Sequence, residues 1–265
     1  MLQFSANLSF LFPELPFLER FAAARVVGFR GVEFMFPYAF PVADIACALR
    51  DNGLQQVLFN LPAGDWDAGE RGIASHPGRE SEFRDGVALA LETAARLRCS
   101  RLNCLAGLRL PEVSEAEQAA VLAANLRYAA EACARAGVRL LVEPINSRID
   151  MPGFWLDTPA KAITCIDAAG HDNLYLQFDI YHAQIMTGDL ANQLTRWLPR
   201  IAHLQIADLP GRHQPGTGEI NYPFLFAHLE ALGYADWIGC EYRPQGTTVD
   251  SLRWAARWLM PPESV

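Results

Sequence analysis

RLLVEPINS (139–147) sets an apolar strand, Leu140 to Val142, directly against a glutamate, a proline and an asparagine. A carboxylate at the end of a buried strand is partly desolvated, which costs several kcal/mol unless it is paired or bound to a metal. The pattern recurs along the chain. Strands are expected over 3–10, 31–36, 55–62, 101–107, 139–145, 174–180, 201–208 and 237–244. Between them run helical patterns such as LPFLERFAAARVVG, EFRDGVALALETAARL, EAEQAAVLAANLRYAAEACARAG and TVDSLRWAARWLM. Glycines 28, 53, 137, 170 and 233 follow helical segments, as expected at helix C-termini.

Eight strands alternating with helices in 265 residues, with no low-complexity linker, define a parallel α/β architecture. A closed (β/α)8 TIM barrel forming one domain over 1–265 fits both strand count and length. The rival is a doubly wound open sheet, but no GxGxxG or GxxxxGK[ST] follows the first strand. Two connections, 63–80 and 209–221, are long for a compact domain, and long loops are usually functional or disordered.

The composition is 51% hydrophobic and 20% charged, which is globular. No apolar run approaches the roughly 18 residues of a membrane span, and the first residues lack the features of a signal peptide. The expected compartment is the cytoplasm, with no membrane partner. A net charge of −8 argues against a nucleic-acid partner. The six cysteines form no CxxC pair and fall mostly in apolar segments, so buried free thiols are expected. Lys161 is the only lysine and lies in a helical stretch, 157–170, which argues against imine chemistry.

In a β/α barrel the chemistry lies at the C-terminal strand ends. Those ends carry Glu33, Asn60, Asn103, Glu143, Asp179, Gln205 with Asp208, and Glu241. Strand side chains alternate, so Leu141 and Glu143 share a face, as do Gln177 with Asp179, His203 with Gln205, and Gly239 with Glu241. Three carboxylates and an amide oxygen on four neighbouring strands would converge on one rim. Like charges that close need a cation, and oxygen ligands suit Mg²⁺ or Mn²⁺. Glu143, Asp179, Gln205 and Glu241 are thus candidate metal ligands. The ordinary alternative for any one of them is a helix cap or an arginine pair, and Glu33 keeps that alternative.

His182 is read as a helper of the ligands, a substrate contact or a surface residue, and His203 as an interior histidine. The glycines of GTGE (216–219) suggest phosphate binding, but the glutamate that follows repels an anion. Arg212 and Arg71, on the two long loops, are candidate forks for a substrate carboxylate, with a solvated side chain as the alternative for each.

GVEFMFPY, NLPAGDWDAGERGIASHPGRE, EPIN, QFDIYHAQ, HLQIADLPGRHQPGTGEINY and WIGCEYRP together resemble the hydroxypyruvate isomerase family, one of the xylose-isomerase-like sugar isomerases and epimerases. The likeness covers nearly the whole chain. It implies a single barrel, a divalent metal held by Glu143, Asp179, Gln205 and Glu241, and acid/base roles for Glu143 and Glu241. Wider epimerases commonly carry histidine where Gln205 stands, which favours the hydroxypyruvate branch. The expected substrate is a small hydroxy-oxo acid, with isomerisation through an enediolate. Three carboxylates around a divalent cation would leave a net negative site, so Arg71 or Arg212 is expected to clamp the substrate carboxylate, with His182 donating to a substrate oxygen.

A 2-oxo-tetronate isomerase or ketose 3-epimerase would use the same paired glutamates. A DNA repair endonuclease on a similar barrel would want more histidine ligands and a basic groove, and a silent sugar-binding barrel would not need both glutamates. The apolar stretch LRWAARWLMPP (252–262) offers a face for a homo-oligomer contact.

Overall fold

The computed structural model describes residues 1–259. Eight parallel strands close on themselves in sequence order: β1 (Gln3–Asn7), β2 (Gly31–Glu33), β3 (Gln55–Asn60), β4 (Arg101–Cys104), β5 (Arg139–Val142), β6 (Leu174–Asp179), β7 (Ile201–Ile206) and β8 (Trp237–Cys240). The ring closes where β8 pairs with β1, Gln3 opposite Trp237 through Ala6 opposite Cys240. Outside it lie α1 (Arg20–Val26), α2 (Val42–Asp51), α3 (Glu80–Leu97), α4 (Glu115–Arg135), α5 (Pro159–Ala169), α6 (Ile180–Met186), α7 (Leu190–Trp197), α8 (Tyr222–Ala231) and α9 (Thr248–Ser251).

Local chemistry sets these helices. On α3, Phe83, Val87, Ala90, Ala94 and Leu97 are buried at helical spacing, one stripe laid on the sheet. The Ser114 hydroxyl accepts from the Glu117 N–H to start α4. Thr158 caps α5 with Pro159 in its first turn, and Gly170 ends it in the left-handed region at φ 63°. Lys161, on α5, pairs with Glu115 and donates to the Trp155 carbonyl.

The strands are buried on both faces. Beneath the barrel's upper rim, Val57, Leu58, Leu141 and Ala202 form an apolar plug against Tyr175 and Trp237. Arg101 tightens the lower end by pairing with Asp236 and donating to the Ala202 carbonyl at 3.1 Å. Chemistry is thereby left to the upper rim. All six cysteines are free, with only Cys47 exposed. Among the described residues no helix is long and apolar enough to cross a membrane.

The strands stop earlier than the apolar runs suggest. Their C-terminal residues turn into loops once the neighbouring strand ends, so Glu143 and Glu241 stand one residue beyond β5 and β8. The helix expected over 248–260 is the single turn α9 followed by a 3-10 turn, Arg253–Ala255. The reason is aromatic: Trp254 and Trp258 pack on Phe4 and Phe226 with centroids 5.1–5.6 Å apart, and that packing overrides helical propensity. Met260 to Pro262 of the proposed contact stretch lie outside the described residues.

Candidate active site

The upper rim encloses a cavity of about 160 Å³ whose floor includes Glu143, Gln177, Gln205 and Glu241. Each is delivered by a different strand. Glu143 is buried, and its Oε2 accepts from Asn103 Nδ2 of β4 at 2.9 Å. Asp179 ends β6 and caps α6, its Oδ1 accepting from the N–H groups of Tyr181 (2.8 Å) and His182 (3.4 Å). Gln205 accepts from Gln177 at 2.6 Å and donates to Glu241 at 2.6 Å and to Glu33 at 2.9 Å. Glu241 accepts further from Asn7 of β1 (2.7 Å) and from Arg212 (2.5 Å).

Glu33 is neither a cap nor an arginine partner. It is fully buried in the barrel, accepting from Ser5 at 2.7 Å, with His203 Nε2 at 2.9 Å from its Oε2. Burial alone would raise its pKa, but His203 and the donors around it carry it below the usual carboxylate range. Gly239 makes room for this carboxylate: a Cβ there would collide with both Glu33 oxygens. The Glu33 head is buried and held by several donors, so it cannot simply swing away. Gly239→Ala should therefore cost about 1–3 kcal/mol, as overpacking does, or a Tm loss of roughly 2–12 °C. Thermal melts of the purified variant check this, and an unchanged Tm would refute it.

The loop after β7 is organised by Asp208, whose oxygens accept from the N–H groups of Leu209, Gly216, Gly218 and Ile220 at 2.8–3.1 Å. This carboxylate is thus committed to the loop. The glycine N–H groups that suggested phosphate binding are already taken by it. The ordered loop carries Arg212 inward, at φ 58°. Its guanidinium bonds Asp150 at 3.1 Å as well as Glu241, and lies 4.7 Å from the Phe10 ring and 5.2 Å from that of Tyr181. Burial disfavours the Arg212 charge, but the surrounding carboxylates outweigh it and raise its pKa. Burial is the largest influence on Asp150 and would raise it, but Arg212 together with the Asn146 donor, His182 and Tyr181 outweighs it, so Asp150 titrates below its ordinary value.

Arg71 is turned away from this cavity. It donates to the carbonyls of Trp66 (2.9 Å) and Glu70 (2.6 Å) and stacks on the Trp66 ring at 4.2 Å. Trp66 itself lines the cavity, so Arg71 braces the wall.

His182 is buried, with Asn146 Nδ2 at 2.7 Å from its Nδ1. Asn146 also donates to Asp150, so the same amide ties the loop after β5 to the histidine. With Nδ1 accepting, the network assigns the ring proton to Nε2, which lies 3.5 Å from Asp179 Oδ2. Burial lowers the His182 pKa to about 4, so the ring is neutral. Burial also drives the two glutamates upward: Glu143 is raised well above the usual range, helped by Glu241 and Asp179, and Glu241 to about 8 despite Arg212.

Two observations test whether a cation suits this site. Asp179 Oδ2 is buried and without a hydrogen-bond partner, a state that ordinarily costs about 1–3 kcal/mol. One ligand atom each from Glu143, Asp179 and His182 lie within 4.8 Å of one another. The residues therefore fit a divalent cation. The compact cluster includes His182, whereas Gln205 and Glu241 adjoin it through their own hydrogen bonds.

Asp150, Asn7 and Asn146 belong to this site without having been singled out in the sequence. So does Arg243, which lines the cavity; its position two residues after Glu241, on the same alternation, was the available signal.

A barrel with this carboxylate cluster defines a xylose isomerase-like TIM barrel, and residues 21–260 match the model of that family. Hydroxypyruvate isomerase of Escherichia coli is 53% identical over 96% of this chain and 98% of its own length. A 2-oxo-tetronate isomerase of Cupriavidus necator is 47% identical over 98% and 99%. A crystal structure from Brucella melitensis, described as an AP endonuclease of family 2, is 45% identical with a TM-score of 0.96, covering 98% of this chain and 100% of that one. The chain belongs to the hydroxypyruvate isomerase family within the xylose isomerase-like barrels.

Proposed function

We propose that this chain, as one barrel domain in the cytoplasm, interconverts hydroxypyruvate and tartronate semialdehyde. The observation that carries the reading is the convergence of two buried, proton-avid glutamates, Glu143 and Glu241, on one small cavity. Proton transfer between adjacent carbons needs two such groups, one to take and one to give. One glutamate removes a proton from the hydroxymethyl carbon, leaving an enediolate. The other returns a proton to the former carbonyl carbon while the hydroxyl proton passes from one enediolate oxygen to the other, so nothing is gained or lost overall.

Glu143 and Asp179 would hold a divalent ion, Mg²⁺ or Mn²⁺, with Gln205 and Glu241 as further ligands on turning from their present partners. Bound there, such an ion would act as a Lewis acid toward the substrate oxygens. Arg212 fixes Glu241 and Asp150 around the substrate, and His182 Nε2–H is aimed at the same space. A four-carbon 2-oxo-tetronate is the second reading, favoured by the likeness to the Cupriavidus enzyme. A nucleic-acid substrate is disfavoured by the net charge of −8.

The test is turnover by the purified protein, metal-stripped and with Mn²⁺ or Mg²⁺ restored, on hydroxypyruvate and on 2-oxo-tetronates side by side. Metal-dependent formation of tartronate semialdehyde, with the larger kcat/KM, is expected. Greater kcat/KM on the four-carbon acid would replace this reading by the second.

A further inference from the structure

Three carboxylates line the cavity, Glu143, Asp150 and Glu241, and a fourth, Asp179, lies beside Glu143. A divalent cation and Arg212 together offset three of those charges, which leaves the site negative toward an anion. Arg212 is also a poor clamp, because its guanidinium is already shared between Glu241 and Asp150 and is almost wholly buried. Arg71 is spent on backbone carbonyls and the Trp66 ring.

Arg243 differs from both. It lines the cavity, its side chain is exposed, and among the described residues its guanidinium enters no ion pair or hydrogen bond. Its backbone is nevertheless fixed. The Arg243 N–H donates to the Arg212 carbonyl at 2.7 Å, and its own carbonyl lies 2.8 Å from His213 Nδ1. An anchored backbone with an uncommitted cation at a negative cavity is what capture of an anion at the mouth requires. The intervening Tyr242 is fully buried, its hydroxyl reaching Ser251 of α9, and does not line the cavity.

We infer that Arg243 binds the carboxylate of the substrate at the mouth of the cavity, holding the hydroxy-oxo carbons toward Glu143 and Glu241. A guanidinium offers two parallel N–H donors to a carboxylate, and a lysine only a point charge. This assignment rests on the reading of the site as one for a small anionic acid, and it adds the residue that selects the charge.

The experiment measures equilibrium binding to the manganese-loaded protein by calorimetry, with two probes. Glycerate keeps the carboxylate but lacks the carbonyl, so it cannot isomerise. Glyceramide replaces the carboxylate by a neutral amide. Arg243→Gln is expected to weaken glycerate at least tenfold and glyceramide less than twofold, with Arg243→Lys in between. In turnover, Arg243→Gln should raise KM for hydroxypyruvate with kcat nearly kept. Unchanged glycerate affinity in Arg243→Gln, equal weakening of both probes, or no glycerate binding by the unsubstituted protein would overturn the assignment. Arg243-dependent glycerate binding by a protein that does not turn over hydroxypyruvate would uphold the assignment and discard the isomerase reading.

Discussion

Glu143→Gln and Glu241→Gln should each lower kcat for hydroxypyruvate by about 10²–10⁴-fold, the range that a positioned acid or base supplies. Glutamine keeps the size and one acceptor oxygen, so Asn103 can still donate at position 143, and Asn7 at position 241. What is lost is the ability to carry a proton. The two variants should differ in a second way. Glu241 is a partner of Arg212, so Glu241→Gln also loosens the guanidinium and should raise KM. Glu143 has no cationic side-chain partner within the hydrogen-bonding network, and its replacement should leave KM closer to that of the unsubstituted protein. Exchange of solvent deuterium into the hydroxymethyl carbon, followed by NMR, separates the roles further. The variant that still exchanges that hydrogen has lost the second proton transfer, and the one that does not has lost the first. Activity within tenfold of the unsubstituted protein in either variant would remove that glutamate from the mechanism.

The barrel and its rim were legible because they depend on local rules. A strand repeats every two residues, and that alone places Glu143 above Leu141, Asp179 above Gln177, and Glu241 above Gly239. What the alternation cannot supply is the path of a loop. Arg212 reaches the site because Asp208 gathers four loop N–H groups and turns the chain inward, an arrangement built from residues up to twelve positions apart. Arg71 is on an equally long loop, yet the neighbouring Trp66 ring and two carbonyls hold it outside. Asp150 was invisible for the same reason, since its role comes from Asn146 and Arg212 meeting it from two loops. Gly239 shares a face with Glu241 by alternation, but the space left by its missing side chain is taken by Glu33, a contact between β2 and β8. Side chains that cross the interior follow from ring closure, which no single strand encodes.

Stripping the divalent ion should abolish turnover and also make stability fall as pH rises from about 6.5 to 8. The cause is the pair of raised carboxyls. Glu241 titrates near 8 in the folded metal-free chain, against an ordinary value of 4.5, and Glu143 is raised too. Between those values the folded state binds more protons than the unfolded one, so unfolding becomes easier with each step of pH. Other shifted groups act elsewhere. His182 is lowered to about 4, so its buried neutral ring makes stability rise with pH, but only up to about 6.5, where the unfolded histidine loses its proton. Glu33 and Asp150 are pulled down, so their contribution is complete above about pH 4.5 and is lost only on acidification. The window from 6.5 to 8 therefore isolates the two glutamates. A loss of about 2 kcal/mol across it corresponds to a Tm drop of roughly 4–8 °C. A bound cation compensates the carboxylate charge and reverses the preference: at a hundred times its Kd it adds about 2.7 kcal/mol, and more at pH 8 than at pH 6.5 because fewer protons must leave. Melting curves of stripped and Mn²⁺-loaded protein at half-unit steps of pH decide it. A stripped protein whose Tm is flat or rising over this window, or a loaded one with the same slope, would mean that the charges at the rim are balanced without a metal.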